Sequence, residues 1–526
     1  RHAEFYLGED KFQTAVRAFL KKHEYANATW QDLVSEFESA SGRDLKDWAA
    51  NWVQKRSLPL VVQCSRIGNI EHYGLKEVNK LGEDALWQLK FKVLMIGPSG
   101  QSLEKTVEIK PKPKNLRGRF DFYCDNGVEL YSSPPSGGPD DPSWFVDAIL
   151  PNYQDYGYGI FLLDDKSCDY VLKNIQNEKD DFLRSMMWGA LWDSVREAEL
   201  DPREYVELAI KNLPTEKDET ITASVLGRVS TAMTYYLSEP PAVAGGLTRP
   251  LSDSKVLSGN LQPPAIAGGS DKSDLQSRLE AILIERMRTA PTLGQRVTYY
   301  RAFLNIVSTE NGRNVLKEML RTGGNLSSSK ALERTTPSTT KQPTPLLRKE
   351  GSSAATIPLK SKDRFDIVTR LAILSDTDAA GLLADLEKKE TSDDGKRYAY
   401  AAHAAFATKE NKEQFWNDFV NNKDISESWI EAAMVPFNSP RHADLSLPYL
   451  ERALAELPDL KRNRKIFFVN GWLGSFIGGQ KSQKALDTVN KFLADNPNLD
   501  KDLRLKILEN VDVIERSVKI REKFGN

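Results

Sequence analysis

Five histidines, His2, His23, His72, His403 and His442, and three cysteines, Cys64, Cys124 and Cys168, are the side chains best suited to metal or nucleophilic chemistry. Two imidazoles grip one zinc ion from a single helical face when they stand four residues apart, and none of these five has such a neighbour. There is likewise no C-x-x-C, no G-x-S-x-G elbow and no phosphate-binding glycine loop. In KHEYAN, residues 22–27, Glu24 stands beside His23. Adjacent helical positions point roughly 100° apart and do not converge on one metal, so the segment reads as a helix end. The cysteines are too few and too scattered for a disulfide framework or a zinc ribbon and read as ordinary thiols. Carboxylate runs such as residues 178–181 read as solvated faces. The residues themselves therefore nominate no catalytic, cofactor-binding or metal position.

The elements that would have to position any site change character along the chain. Residues 9–22 carry Phe12, Val16, Phe19 and Leu20 on one helical face, with acids in the first turn and lysines in the last, as the helix dipole favours. A second helix starts at Thr29, a capping residue, with Trp30, Leu33, Val34 and Phe37 as its stripe. A third, residues 45–53, turns Leu45, Trp48, Ala49 and Trp52 inward. After Pro59, residues 60–64, 86–96, 103–109, 120–123 and 128–131 read as strands separated by Gly, Pro, Asn and Asp turns, the pattern of a small antiparallel sandwich. Residues 145–175 form the junction: a strand end at Leu150, Pro151 and Asn152, glycines at 157 and 159, a short strand over 160–163, then a helix.

From Asp181 onward apolar residues recur at three and four positions, and successive antiparallel helices without a tight repeat predict a loose, HEAT-like superhelical array. The stretches near 238–274 and 322–362 interrupt it; PPAVAGG recurs there as PPAIAGG, and Ser, Thr and Pro dominate the second, so both are expected to be flexible insertions. The fold class expected is mainly α with a small β module. The 526 residues suffice for roughly three or four domains. Lys and Arg (72) nearly balance Asp and Glu (74), which argues against a nucleic-acid partner. No apolar run approaches the roughly 20 residues of a transmembrane segment. The chain opens at Arg1 without a methionine, so further motifs are expected upstream.

Several of these segments together resemble the C-terminal part of a zinc aminopeptidase of the aminopeptidase N family. The family's L-G-x-x-x-F helix and the H-x-Y-x-N-A run after it are matched by Leu7, Gly8, Phe12, Phe19, Leu20, His23, Tyr25, Asn27, Ala28, Asp32 and Leu33, followed by Trp52 and Pro59. The likeness continues through LPN (150–152), YGYG (156–159), LPTEKD (213–218), RFDIVTRL (364–371, with Phe365 for a more usual tryptophan), PYLERAL (448–454) and the closing residues 496–521.

The resemblance implies the end of a thermolysin-like peptidase domain over 1–57, a β-sandwich over 58–142 and a helical superhelix over 143–526. It implies peptide substrates, zinc in the intact parent, and partners in the missing N-terminal and catalytic domains of the same polypeptide. The family's zinc-binding helix, G-A-M-E-N strand and transition-state tyrosine have no counterpart among these residues, so this piece alone is expected to be inactive and to gate substrate access. In such enzymes a basic residue of the helical domain can meet the substrate's carboxylate end, and Arg441, in the loop SPRHADL (439–445), is the candidate. The rival reading is a non-catalytic helical scaffold of the same architecture. A stand-alone solenoid adaptor is disfavoured, because residues 1–53 look like the end of another domain.

Overall fold

The computed structural model describes residues 1–55, 57–66, 71–81, 86–98, 100–110, 127–133, 146–237, 272–326 and 356–525. Their contacts divide them into two compact units, Arg1–Leu200 and Asp201–Asn526. The chain is mainly helical, with a small sheet module confined to the first unit.

The first unit opens with helices α1 (His2–Leu7), α2 (Glu9–Lys22), α3 (Trp30–Ser41) and α4 (Lys46–Gln54). Thr29 and Asp32 start α3 with a reciprocal capping box, satisfying two backbone N–H groups that the helix leaves free. Gly42, at φ 68°, ends the helix in the left-handed conformation that glycine adopts without penalty. Tyr6, Leu7, Ala15, Phe37 and Leu45 form the core of this helical part, with Phe12, Val16, Leu33, Val34 and Trp48 packed against it. Leu20, expected on the inward face, is 62 % exposed.

Strands β1 (Pro59–Arg66), β2 (Glu71–Asn79), β3 (Leu89–Ile96), β4 (Ser102–Ile109), β5 (Val128–Ser133), β6 (Ala148–Tyr153) and β7 (Ile160–Phe161) follow. They make two sheets, in the orders β5-β2-β1-β7 and β4-β3-β6, and every pairing is antiparallel except β1 with β7. Apolar residues of both sheets, among them Val61, Leu75, Leu89, Phe91 and Phe161, share one buried cluster with Trp87. The strand expected over 120–123 lies outside the described residues. β2 was not foreseen, because its buried side is Leu75, Glu77 and Asn79 while Val78 faces solvent, which inverts the usual polarity of an amphipathic strand. Cys64 corrects another expectation: it is held in a disulfide, whereas Cys168 is not disulfide-bonded. Two cysteines suffice for one bridge wherever their Cα atoms lie within about 7 Å, and sequence separation carries no trace of that distance.

The junction after β6 is held by its own side chains. Asn152, at φ 62°, accepts the Gly157 N–H through Oδ1 at 2.5 Å and donates from Nδ2 to the Gly157 carbonyl at 3.2 Å. A Cβ on Gly157 would lie 2.6 Å from the Phe161 ring, and one on Gly159 would lie 2.7 Å from the Pro59 carbonyl. Glycine at these two positions therefore lets β7 enter the sheet beside β1. Helices α5 (Asp165–Asn174) and α6 (Asp181–Arg196) complete the unit, N-capped by Asp164 and Asp180.

The second unit begins with α7 (Pro202–Asn212), α8 (Glu219–Thr231), α9 (Lys272–Thr289), α10 (Leu293–Ile306) and α11 (Glu310–Thr322). Then come α12 (Ser361–Ile373), α13 (Ala379–Lys389), α14 (Asp393–Ala404), α15 (Lys409–Asn421), α16 (Glu427–Phe437) and α17 (Ala443–Ala455). The last four are α18 (Leu457–Asn463), α19 (Ile466–Gly478), α20 (Gln483–Asp495) and α21 (Lys501–Phe524). Helices near in sequence pack together, α9 with α10, α14 with α12 and α16, and α19 with α16 and α21. An aromatic core, with Trp416, Phe437, Trp472 and Phe476 at ring separations of 4.5–5.9 Å, fills the C-terminal half. The expected flexible insertions fall mostly on residues 238–271 and 327–355, which lie outside the described residues. Their described margins are ordered: α9 starts at Lys272, α12 at Ser361, and Asn325 bridges to Thr356.

Candidate ligand-binding cavity

The histidines stand apart on different elements. His2 is buried and packed on Trp52 with ring centroids 4.8 Å apart, and burial lowers its pKa to about 4. His23 is the C-cap of α2, as expected; His403 Nε2 lies 2.9 Å from Glu387, and His442 Nε2 donates to the Ile373 carbonyl at 2.6 Å. Among the described residues no three His, Cys, Asp or Glu side chains are grouped closely enough to hold a metal ion. This donor set does not fit the zinc of the family, and no chemical step is derived through one.

Polar side chains converge elsewhere, in a cavity of about 100 Å3 inside the second unit. Arg441, nominated from the sequence, lines it together with Lys272, Gln276, Arg370, Ser439 and Lys481. These residues come from α9, α12, the short 3-10 turn Pro440–His442 and the loop between α19 and α20.

Backbone groups at helix ends explain how the cations arrive. The last turn of α8 widens into a π-helical turn, Ala232–Tyr236, closed by the Leu237 N–H on the Ala232 carbonyl. Its terminal carbonyls have no partner within the helix and recruit donors from distant segments. Lys481 Nζ donates to Thr234 O at 3.4 Å, Lys272 Nζ to Leu237 O at 3.0 Å, and Ser517 Oγ and Arg521 Nε to Tyr235 O at 2.7 and 2.8 Å. Arg370 does the same at the end of α10, giving Nε and one Nη to Val307 O at 3.2 and 2.7 Å. Burial, reinforced by the charge of Arg441 and opposed by Glu280, lowers the Arg370 pKa to about 10, so the group stays cationic at neutral pH.

Two loops frame the mouth. Gly479 lets the 438–441 loop approach, because a Cβ there would lie 2.3 Å from Asn438 O. Pro440 and the His442 contact hold the turn that carries Arg441, which is exposed. Glu280, 2 % exposed, lies behind the cavity and accepts from Gln276 Nε2, Ser308 N and Thr309 N at 2.6–3.1 Å. Its charge is thus directed at the N-terminus of α11, where the helix dipole welcomes an anion. Arg370, Lys272 and Lys481 were not singled out from the sequence; the one local signal was the GGQK turn, whose paired glycines mark a close approach of chains.

A two-sheet module followed by helices that pack on helices near in sequence, with a basic cavity among those helices, is the architecture on which the sequence comparisons bear. Residues 148–356 and 359–516 match the family described as the ERAP1-like C-terminal domain, and the chain belongs to that family. It is 24 % identical over 521 residues to an Aminopeptidase N from Streptomyces lividans, covering 98 % of this chain and 52 % of that protein. Aminopeptidase M1-D of Oryza sativa subsp. japonica is 34 % identical over 129 residues, 24 % of this chain and 14 % of that protein. The puromycin-sensitive aminopeptidase of Caenorhabditis elegans is 29 % identical over 123 residues, 22 % and 12 % respectively. The chain thus spans about half the length of the relative it matches almost from end to end.

Proposed function

We propose that this chain is the C-terminal, substrate-gating part of a zinc-dependent aminopeptidase that removes N-terminal residues from peptides. The observation that carries the reading is the likeness to an Aminopeptidase N along 98 % of the chain. In this reading residues 1–57 end a peptidase domain, 58–142 are a β-sandwich, and 143–526 form a HEAT-like superhelix that restricts access to a zinc site contributed by other residues of the parent. In this reading Arg441, exposed and lining the basic cavity, would meet the carboxylate end of a peptide.

The test uses the intact parent protein and an aminoacyl anilide. Hydrolysis abolished by a chelator, with none from residues 1–526 alone, is the expected result. A complete parent that binds no zinc and cleaves nothing would favour the helical-scaffold reading instead. In an active parent, Arg441→Gln is expected to raise KM severalfold for short peptides with a free C-terminal carboxylate and to leave the corresponding amides unchanged.

A further inference from the structure

From the turn between α2 and α3 we infer a modification site: Asn27 carries an N-linked oligosaccharide whose first sugar packs on the ring of Tyr25. Asn27, Ala28 and Thr29 form an N-x-T triplet, the acceptor sequence for oligosaccharide transfer to an asparagine amide. Asn325-Leu326-Ser327 is the only other N-x-S/T triplet of the sequence, and it ends outside the described residues. Asn27 stands on the surface, where every residue from 24 to 29 is exposed. A glycan is bulky and strongly hydrated and is accommodated only in such a place. The chemical setting agrees, since the disulfide at Cys64 belongs to an oxidising compartment, the kind in which such transfer occurs.

Tyr25 supplies a second, independent observation. It is fully exposed, more so than any other large hydrophobic side chain among the described residues. Helix α2 ends at Lys22 with His23 as its C-cap, and the Ala26 N–H closes a turn on the His23 carbonyl at 3.0 Å. Tyr25 sits in that turn at φ 58°, a left-handed conformation that a bulky residue adopts at a cost. A ring held in water at such a position gains from whatever covers its face. The negative face of an aromatic ring attracts the positively polarised C–H groups on the apolar side of a pyranose. Two residues of chain span at most about 7 Å, so a sugar linked to Asn27 Nδ2 reaches the Tyr25 ring. In the transfer, Asn27 Nδ2 attacks the anomeric carbon of an oligosaccharyl pyrophosphate on a lipid carrier. The new N–C bond replaces the C–O bond to phosphate, the lipid pyrophosphate leaves, and the amide proton passes to a base of the transferase. The Thr29 hydroxyl, which the transferase reads, donates to Asp32 Oδ2 at 2.7 Å in the folded chain, so the transfer precedes closure of the α3 cap. A glycan at Asn27 is independent of the aminopeptidase reading.

The experiment isolates the intact protein and its variants from the cells that make it and reads the tryptic peptide of residues 23–43 by mass spectrometry. The expected result is an N-linked oligosaccharide on that peptide in the unaltered protein and in Thr29→Ser, and none in Asn27→Gln or Thr29→Asn. Asparagine caps a helix at least as well as threonine does, so Thr29→Asn keeps the start of α3 and loses only the acceptor triplet. An unmodified Asn27 in the unaltered protein, or a glycan that survives in Thr29→Asn, would overturn the site. A second arm removes the glycan enzymatically from the folded protein. The melting temperature is expected to fall by about 2–4 °C in the unaltered protein and to stay unchanged in Tyr25→Ala. Equal losses in both, or no loss in the unaltered protein, would overturn the packing of the sugar on Tyr25.

Discussion

The sheets of the first unit and the helices of the second each bury an ionisable side chain, and they hold it in opposite ways. Glu77 lies on β2 at 4 % exposure; it accepts one backbone N–H, from Trp87 at 2.7 Å, and among the described residues its other carboxylate oxygen has no hydrogen-bond partner. Burial outweighs that single bond and raises its pKa to about 8. Lys412, on α15 at 1 % exposure, donates to the Ala404 and Phe437 carbonyls, the last residues of α14 and α16, with its ammonium 4.5 Å from the Phe437 ring centre. Burial lowers its pKa only to about 8, so it remains charged at neutral pH. The difference is one of backbone supply. A sheet interior has committed its N–H and C=O groups to the ladder, whereas two helices ending side by side offer unpaired carbonyls that together accommodate a cation. Lys272, Arg370, Lys481 and Arg521 repeat the arrangement around the basic cavity.

The largest effect expected from this contrast is at Lys412. Lys412→Met keeps much of the side-chain volume but leaves two buried carbonyls without a donor, at about 1–3 kcal/mol each, and is expected to cost about 2–4 kcal/mol in urea denaturation at pH 7. A neutral result would mean that water replaces the ammonium and that the helix ends do not need it.

Glu77→Gln tests the other side. The folded-state pKa of about 8 lies above the unfolded value of 4.5, so the folded chain binds the extra proton between these pH values. The contribution of Glu77 is then fully present below about pH 4.5 and is lost as pH rises through 8. Gln cannot ionise and retains an acceptor for the Trp87 N–H. The variant should match the parent near pH 4.5 and exceed its stability by on the order of 2–4 kcal/mol at pH 8.5. Parallel stability curves from pH 5 to pH 9 would show that Glu77 is ionised and solvated, and would erase the contrast with Lys412.

What the sequence disclosed follows the same division. Local signals were legible: Thr29 starts α3, and Glu9 and Lys22 bound α2. β2 was not legible, because Glu77 and Asn79 occupy its buried side and their cost is offset by backbone donors of residues up to ten positions away. Lys412, in NKEQFWNDF, reads as one more solvated charge; only the meeting of α14 and α16 reveals its role. The cavity was reachable solely through Arg441, nominated by family resemblance, since Lys272, Arg370 and Lys481 are separated in sequence and carry no common spacing. The Cys64 disulfide escaped for the same reason, being a matter of proximity between segments.

Glycine gives the finest version of the comparison. At Gly157 an added Cβ would meet the Phe161 ring at 2.6 Å, Asn152 Oδ1 at 2.9 Å and Phe91 Cβ at 3.2 Å, so the methyl group must displace either the ring that anchors β7 or the Asn152 side chain that holds the loop. Gly157→Ala should therefore destabilise the first unit by about 1–3 kcal/mol, as overpacking does. Gly227, on the exposed side of α8, has nothing within 4 Å of the position a Cβ would take and lies in ordinary helical conformation. There alanine removes only the excess freedom of the unfolded chain, and Gly227→Ala should stabilise by about 0.5–1 kcal/mol. Opposite signs from one chemical change, read in the same denaturation experiment, would show that the junction is limited by close approach and the helical array by backbone entropy. A stabilising Gly157→Ala would mean instead that Phe161 and Asn152 yield easily, and that the junction is no more tightly determined than an exposed helix.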